Sequence, residues 1–466
     1  MSRLFTLLFC VFVLTSHAQT GYQIRIHTED IAADSLFVKS YDAKSKKFTP
    51  FLSLKFENNI TIKDKTPLHP GIYVVETDST IITEFLISDE KNQKFTFKIS
   101  KEEILVEGSK ENSANRAYMK KMLDFNRQLF VLDDEFREMQ QKGLPQYMMQ
   151  TYVDSLSVKF NRINAEKRAY QEQIAMENKG LLLASIIRGS MEMPPPPKEF
   201  LRDRVKYYSY LAANLFNNFP WEDERLLNTP ILYNKFKTLG QQILYLEPEF
   251  SIPIVINILN ESKIRKSMCS ALFDYLEREF GSVKSPYRDE LLYIAMLKNI
   301  LETPEVEEVR VPRYEYELRL ITKNLAGEQA TDFNILFANG DTTAMYNIDA
   351  ELLILYFQNP DCPTCIELRE KMKNMEIVNQ AIASGKLKIV TVYFEEKESL
   401  WRNYVETNAF KSWEHGWNFD LEISEKHLYD IRTIPMLMFL DKNKKVLKKD
   451  LLSNEIEDWL KRYLVK

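Results

Sequence analysis

Hydrophobic and polar positions alternate along the first part of the chain, from Tyr22 to Val106. The segments Tyr22 to Ile26 and Phe95 to Ile99 each place an apolar residue at every second position. Turn sequences such as Glu57-Asn58-Asn59 separate these runs. Several short strands at this spacing predict a small antiparallel β-sandwich over residues 19–107.

The hydrophobic period lengthens to that of a helix at about residue 108. Residues 112–142 and 146–179 are rich in Leu, Met, Phe, Glu, Arg and Lys at helical spacing. Four prolines after Met193 predict a stiff loop, because proline cannot continue a helix. Helical patterns then continue to about Leu301, so residues 108–312 are predicted to form an all-α domain, in which we find no obvious catalytic motif.

Strand and helix patterns alternate in the last third of the chain. The continuous apolar run Leu352 to Phe357 is typical of a central strand buried on both faces. A helical pattern over 362–383 follows it, and an amphipathic helix over 455–463 closes the chain. Further strands are predicted at 387–394, 436–440 and 445–447. This order predicts an α/β domain over residues 313–466. The whole chain is therefore predicted to be a multidomain α+β protein.

The N-terminus has the features of a secretory signal over residues 1–18. Arg3 supplies a positive start, Leu4 to Leu14 is an apolar run too short to span a bilayer, and Ser16-His17-Ala18 fits a cleavage site. We expect cleavage after Ala18 and no stable membrane insertion, with an uncleaved membrane anchor as the alternative. Cys10 follows Phe9, where a lipoprotein signal needs a small residue, so we assign it to the removed peptide.

Composition and charge exclude several classes of function. The 466 residues are 45% hydrophobic and 28% charged, as in an ordinary soluble protein of about two to four domains. The formal net charge of -5 argues against a nucleic-acid partner, which calls for a basic face. No Gly-x-Gly-x-x-Gly or Walker-type loop is present, and no cofactor is expected.

Three cysteines remain after the predicted signal, and two of them are close together. Cys269 lies in a helical pattern and is predicted to be a buried small hydrophobe. Cys362 and Cys365 follow the predicted central strand and open a helix, where unpaired N–H groups and the helix dipole favour a thiolate. We therefore predict that Cys362 is a nucleophile toward disulfides and that Cys365 resolves the mixed disulfide.

A zinc site is the alternative for this spacing, since zinc sites also use a Cys-x-x-Cys pair. The further ligands in the C-terminal part would be His415 and His427, which lack a recognisable spacing. His27 and His69 are interpreted as ordinary surface or core residues. No metal is therefore expected.

The C-terminal region from about Leu318 resembles the TlpA-like exported thioredoxins of Gram-negative bacteria. The matching segments are Gly327 to Phe333, Asn339-Gly340-Asp341, Cys362-Pro363-Thr364-Cys365, Thr433-Ile434-Pro435 and Leu440 to Val446. The resemblance implies a thioredoxin fold, in which Pro435 has a cis peptide bond and faces the cysteine pair. It also implies that the backbone of Ile434 is left to pair with substrate as an added strand.

Two further segments resemble a narrower group of multidomain thioredoxins known from Bacteroidota. They are Asn359 to Cys362, and Phe219 to Pro230 in the helical region. In that group an N-terminal β module and a helical module precede the thioredoxin domain. Neither leading module has a defined activity that the resemblance could transfer to this chain.

The cysteine motif departs from the family pattern at two positions. Asp361 stands where most thioredoxins have Trp, and a carboxylate beside a thiol disfavours the thiolate. Tyr356 stands where the family has a buried acid, which removes the usual proton acceptor for Cys365. We expect these two residues, with Pro363 and Thr364, to modulate the pair. Replacement proton acceptors that the sequence does not rank are Glu367, Glu370, Glu395 and Glu396.

The predicted function is that of a periplasmic thiol–disulfide oxidoreductase that reduces protein disulfides. An upstream donor in the membrane or periplasm would supply its electrons. Asp361 should limit thiolate stabilisation and so make the protein a weaker oxidant, and TlpA-like relatives are mostly reductants. A peroxiredoxin function is less favoured, because Asn359 stands where a peroxidatic site needs Thr.

Two other hypotheses remain. Because about two-thirds of the chain carries no catalytic motif, the protein could be a cell-envelope binding or scaffold protein whose thioredoxin domain serves mainly for docking. In a hypothesis intermediate between the enzyme and the scaffold, the two leading modules would present substrates or dimerise, as in disulfide isomerases.

Overall fold

The computed structural model describes residues 21–464 apart from 30, 32, 79, 90–92, 101, 144, 304–308 and 408–409. The predicted signal sequence, with Cys10, lies outside the described residues. The described chain forms two compact units, the first ending at Tyr245 and the second beginning at Leu246. In neither unit do the described helices include one with the length and apolar character needed to cross a membrane.

The first unit begins with two four-stranded sheets. Its strands are β1 (Gln23–Thr28), β2 (Ser35–Asp42), β3 (Lys47–Lys55), β4 (Asn59–Lys63), β5 (Gly71–Thr77), β6 (Ile81–Ile87), β7 (Lys94–Ile99) and β8 (Ile104–Glu107). The strand orders are β4-β1-β7-β8 and β3-β2-β5-β6. The described pairings are antiparallel except that β1 and β7 run parallel. Alternate side chains from both sheets, among them Ile24, Val38 and Phe97, share one core, as the two-residue period requires.

Five α-helices follow among the described residues of the first unit. They are α1 (Lys110–Gln141), α2 (Gln146–Glu177), α3 (Leu182–Ser190), α4 (Arg204–Asn214) and α5 (Pro230–Ile243). Helix α1 begins after Ser109, whose hydroxyl accepts a hydrogen bond from the Asn112 N–H at 3.2 Å. The Asn112 side chain in turn bonds the backbone N–H and carbonyl of Leu86 at 2.7 and 3.0 Å. These bonds attach the start of α1 to the edge strand β6.

The second unit opens with four helices: α6 (Pro248–Ser262), α7 (Lys266–Leu276), α8 (Glu290–Leu301) and α9 (Val311–Ile321). We call residues 248–321 the helical segment. Cys269 is buried in α7, next to Met268 and Leu272 in the helix interior. Its surroundings are those of a packed side chain, as its sequence context predicts.

A seven-stranded mixed sheet follows in the second unit. Its strands are β9 (Asn334–Phe337), β10 (Thr342–Ala344), β11 (Leu352–Phe357), β12 (Leu387–Tyr393), β13 (Glu414–Trp417), β14 (Met436–Asp441) and β15 (Val446–Lys449), in the order β10-β9-β13-β12-β11-β14-β15. Its helices are α10 (Pro363–Lys373), α11 (Glu376–Ala383), α12 (Glu398–Thr407), α13 (Glu422–Glu425) and α14 (Ile456–Leu464).

Strand β11 lies at the centre of this sheet and is buried on both faces. It pairs with β12 in parallel and with β14 antiparallel. Leu353, Leu355 and Phe357 belong to one hydrophobic core, whereas Leu352 and Ile354 belong to the core on the opposite face. The continuous apolar run in the sequence therefore serves two cores.

The helix predicted over 362–383 is broken in the structure. Helix α10 ends at Lys373, and α11 begins at Glu376 after Met375 adopts an extended backbone. The side-chain amide of Asn374 donates to the Glu370 carbonyl at 2.9 Å and so competes with continuation of the helix. Burial of Met375 in the core holds the break in place.

Candidate functional site

The site begins at the N-terminus of α10, directly after the central strand. Cys362 is the N-cap residue, and Pro363 occupies the first helical position, where its missing N–H costs nothing. The Cys362 Sγ accepts the backbone N–H of Cys365 at 3.4 Å. The Thr364 hydroxyl lies 3.1 Å from the same sulfur. Cys362 is partly exposed while Cys365 is fully buried, and no disulfide joins them.

The second part of the site is the loop before β14. The Ile434–Pro435 peptide bond is cis, as the resemblance implies. The Ile434 carbonyl lies 4.0 Å from the Cys362 Sγ and 3.5 Å from the Thr364 hydroxyl. Among the described residues, the Ile434 N–H donates no hydrogen bond. The structure thus brings the cysteine pair, Thr364, Ile434 and Pro435 together, although they are some 70 residues apart in sequence.

The two thiols differ in acidity because their surroundings differ. Partial burial opposes ionisation of Cys362, but hydrogen bonds from Cys365 and Thr364 outweigh it and lower the pKa of the Cys362 thiol. Two effects raise the pKa of Cys365 to about 12: burial, which is the larger, and the hydrogen bond with Cys362. At neutral pH Cys362 is therefore the better nucleophile, and Cys365 remains a thiol.

Asp361 precedes the nucleophile and is exposed to solvent, which screens its charge. Its backbone N–H donates to the Asn359 side chain at 3.0 Å. The Asn359 amide donates in turn to Glu395 at 3.0 Å. These bonds fix the backbone that leads into Cys362.

Tyr356 lies behind the cysteine pair at the end of β11. Its hydroxyl donates to the Cys365 carbonyl at 2.7 Å. Burial raises the pKa of Tyr356 far above its ordinary value, so the side chain stays a phenol. It holds the Cys365 backbone and does not replace a carboxylate base. The four glutamates considered as substitutes are all exposed, whereas Cys365 is fully buried.

A buried arginine, which the sequence interpretation missed, lies one turn beyond Cys365 on the same face of α10. The Arg369 side chain donates from Nη1 to the Gln358 Oε1 at 2.8 Å. Its guanidinium lies 4.6 Å from the centre of the Tyr404 ring and 5.9 Å from that of Phe410. The spacing of four residues from a cysteine already placed inside the fold is the sequence signal that could have revealed it.

A groove of about 310 Å³ lies beside Pro435. Thr364 and Lys371 of α10 line one side, and Ser453 lies on the segment after β15. Val283, from the helical segment, also lines it. Residues of the mixed-sheet region and of the helical segment therefore both line this groove.

The loop that carries Pro435 is joined to the helical segment by charged side chains. Asp430 is buried, and the Arg432 Nε lies 3.0 Å from one of its oxygens. Arg288 of the helical segment lies 3.8 Å from the Asp430 carboxylate and also pairs with Asp450. Glu317 of α9 lies 3.7 Å from Arg432. Arg288 and Glu317 are more than 100 residues away from Asp430 and Arg432 in the sequence, so no local pattern indicates this cluster.

The histidines considered as zinc ligands have other roles. His415 is buried, with Nδ1 2.8 Å from the Thr391 hydroxyl and Nε2 2.9 Å from the Phe410 carbonyl. His427 is exposed, and its ring contacts that of Tyr316. Over the residues that the structure describes, no group of three or more His, Cys, Asp or Glu could hold a metal ion.

Comparisons with known proteins bear on the fold. A family described as thioredoxin-like matches residues 349–446, and a domain of unknown function (DUF5106) matches residues 161–324. The crystal structure of a thioredoxin-like protein from Bacteroides caccae ATCC 43185 superposes with a TM-score of 0.55 at 26% identity, covering 59% of this chain and 99% of its own. The C-terminal part of this chain has a thioredoxin-like fold. The predicted multidomain α+β class is thereby confirmed.

Two more solved structures are similar to shorter parts of the chain. The C-terminal domain of an uncharacterized protein from Bacteroides fragilis NCTC 9343 is 35% identical over 30% of this chain and 99% of its own, with a TM-score of 0.29. A domain of a possible thiol-disulfide isomerase from Cytophaga hutchinsonii ATCC 33406 is 23% identical over 31% of this chain and 96% of its own, with a TM-score of 0.28. The chain has no significant match among curated proteins.

Proposed function

We propose that this protein is a periplasmic thiol–disulfide oxidoreductase of the TlpA-like type that reduces protein disulfides through Cys362 and Cys365. One observation carries the proposal: the partly exposed Cys362 sulfur sits at the helix N-terminus, bonded by Cys365 and Thr364, beside the carbonyl that precedes the cis proline. The arrangement supplies an activated nucleophile, a buried second thiol and a backbone edge for substrate.

The reaction takes two exchange steps. The Cys362 thiolate attacks one sulfur of the substrate disulfide, whose S–S bond breaks, and the departing sulfur takes a proton from water. Cys365 then loses its proton and attacks the Cys362 sulfur, which releases the second substrate thiolate and closes the Cys362–Cys365 disulfide. Two electrons pass to the substrate. A dithiol donor in the membrane or periplasm reverses the oxidation of the pair.

The substrate backbone pairs with the loop before β14. The Ile434 N–H, which has no partner among the described residues, can donate to a carbonyl of an extended peptide that adds as a strand, and this places a substrate disulfide next to Cys362. Peptide backbone is common to all proteins, so this contact provides affinity without selecting a sequence.

The proposed direction of electron flow is supported by the opposing effects on the Cys362 thiolate. Burial partly offsets the hydrogen bonds that stabilise it. A pair whose reduced form is less stabilised is a weaker oxidant. The resemblance to TlpA-like exported thioredoxins, the signal predicted over residues 1–18 and the resemblance to multidomain thioredoxins of Bacteroidota favour a reductant of the cell envelope.

Reduction of insulin disulfides by the full chain, with dithiothreitol as donor, tests the activity. We expect faster insulin reduction with the wild type and with Cys269→Ala, and none above background with Cys362→Ser. Equal rates for wild type and Cys362→Ser would contradict the proposal. A reduction potential near about -120 mV, typical of strongly oxidising periplasmic enzymes, would reverse the proposed direction.

A scaffold function is the second candidate, because the first unit contains none of the site residues. Cys365→Ser should hold substrates on Cys362 as mixed disulfides, which mass spectrometry can identify. If it traps no partner while partners still bind the Cys362→Ser chain, the scaffold function replaces the enzymatic one.

A further inference from the structure

Arg369 is a buried cation for which the structure provides no counter-ion. Its side chain is 3% exposed, and no ion pair among the described residues includes it. Its hydrogen bond goes to the neutral Gln358, and its Nε has no partner within the described part of the chain. Burial of an unpaired charge is costly, so such a group indicates a function.

The buried titratable groups around Arg369 and Cys365 are uncharged at neutral pH. Burial raises the pKa of Tyr404 on α12 and of Tyr356 on β11, so both remain phenols. Burial lowers the pKa of His415 on β13, so its ring remains neutral.

Glu414, next to His415, is partly exposed and pairs with Lys388 at 3.1 Å. Among the described residues, the buried groups nearby that can become anions are therefore the thiols of the cysteine pair, and in the mixed disulfide the Cys362 sulfur is already bonded to substrate.

We propose that Arg369 is a positioning residue that stabilises the Cys365 thiolate while the mixed disulfide is resolved, in a site that lacks the family's buried carboxylate. The inference rests on the proposed function. Arg369 follows Cys365 by four residues in α10, so both side chains face the same buried side of the helix.

The positive charge of Arg369 would affect two events, the loss of the Cys365 proton and the attack of the resulting thiolate on the Cys362 sulfur. Cys365 must give up its thiol proton to water before it can attack, and burial opposes this loss, whereas the Arg369 charge favours it. The thiolate then bonds the Cys362 sulfur, the Cys362–substrate bond breaks, and the electron pair leaves with the substrate sulfur. A carboxylate would accept the proton directly, but Arg369 only makes the thiolate less costly to form.

Single-turnover kinetics with a disulfide-linked pair of fluorescein-labelled peptides separates the two steps. The reduced full chain is mixed with this probe from pH 6 to 10, quenched with acid and analysed by mass spectrometry. In Arg369→Met we expect the mixed disulfide to form at the wild-type rate but to decay at least tenfold more slowly at pH 7, with the decay profile displaced to higher pH.

Two more variants serve as controls. Arg369→Lys keeps the charge and should keep the wild-type pH profile for decay, even if the chain is less stable. Arg402→Met removes an exposed arginine of α12 that pairs with Glu398, and should behave as wild type.

Three outcomes would decide the matter. Wild-type decay in Arg369→Met overturns the inference. If Arg369→Met does not fold, a displaced decay profile in Arg369→Lys overturns it, and an unchanged profile supports a role of the charge. If the wild type itself forms no mixed disulfide, the proposed function fails, and this inference fails with it.

Discussion

Arg432 bonds the buried Asp430 at two points, with Nε 3.0 and 3.1 Å from the two carboxylate oxygens. The pair lies just before Ile434 and Pro435, so it fixes the loop that faces the nucleophile. Arg288 approaches the same carboxylate from the helical segment. Part of the region before the thioredoxin-like sheet therefore supports the loop beside Cys362.

Asp430→Asn should destabilise the second unit and loosen this loop. Two partly buried arginines lose a shared anion, although Arg288 keeps Asp450. Arg432 likewise keeps Glu317. The loss of unfolding free energy should therefore stay below the about 3–5 kcal/mol that breaking a fully buried pair costs. Chemical denaturation of the full chain, followed by tryptophan fluorescence, measures the loss.

Glu457→Gln breaks an exposed pair with Lys461 on α14 and should leave the denaturation curve unchanged. Equal curves for both variants would remove the structural role given to Asp430.

Alkylation with iodoacetamide should distinguish the cysteines. Because its pKa is lowered, Cys362 should react at pH 7, whereas Cys365, with its pKa raised to about 12, and the buried Cys269 should not. Peptide mapping gives the modified positions. Thr364→Val removes one hydrogen bond to the thiolate and should slow labelling of Cys362 by up to about tenfold, and Thr364→Ser should restore it. Preferential labelling of Cys365 would reverse the assignment of nucleophile.

Tyr356→Phe tests whether the phenol is a support or a proton carrier. Loss of its hydrogen bond to the Cys365 carbonyl should lower the unfolding free energy by about 1 kcal/mol. The pH profile of insulin reduction should not move, because the phenol does not ionise in the working range. A displaced profile would show instead that Tyr356 takes part in proton transfer.

His415 should make the fold sensitive to acid. Burial lowers its pKa in the folded state, while the unfolded chain protonates near about 6.5. Below that pH the unfolded state binds more protons, so unfolding free energy falls as pH decreases from about 6.5 toward the folded pKa. Denaturation at pH 7.5 and pH 5 should show a larger loss for wild type than for His415→Gln. His427→Gln, at an exposed position, should keep the wild-type loss.

Local sequence patterns predicted the parts of the site that depend on neighbours in the chain. The apolar strand before Cys362 and the helix after it follow from hydrophobic period alone, whereas the role expected for Pro435 came from the resemblance to TlpA-like thioredoxins. The single helix expected over 362–383 was wrong, because the Asn374 side chain and the buried Met375 decide the break. Side-chain competition of this kind does not alter the hydrophobic period.

The charged residues behind the site could not be predicted in the same way. Arg288, Asp430 and Arg432 each look like ordinary surface residues in the sequence, and only the tertiary fold brings Arg288 to the other two. Arg369 lies in a stretch rich in charges, where burial is the exception. The sequence indicated that a proton acceptor was missing, but it did not indicate that a cation lies nearby.

The two-faced burial of β11 has a consequence for how the strand finds its alignment. In a half-buried strand, a register shift by one residue costs free energy because apolar side chains turn toward water. In β11 either face is apolar, so this penalty is weak. The polar groups at its end supply the missing discrimination: only one alignment lets the Tyr356 hydroxyl meet the Cys365 carbonyl and Gln358 meet Arg369. The side chains around the thiols thus also set the register of the central strand.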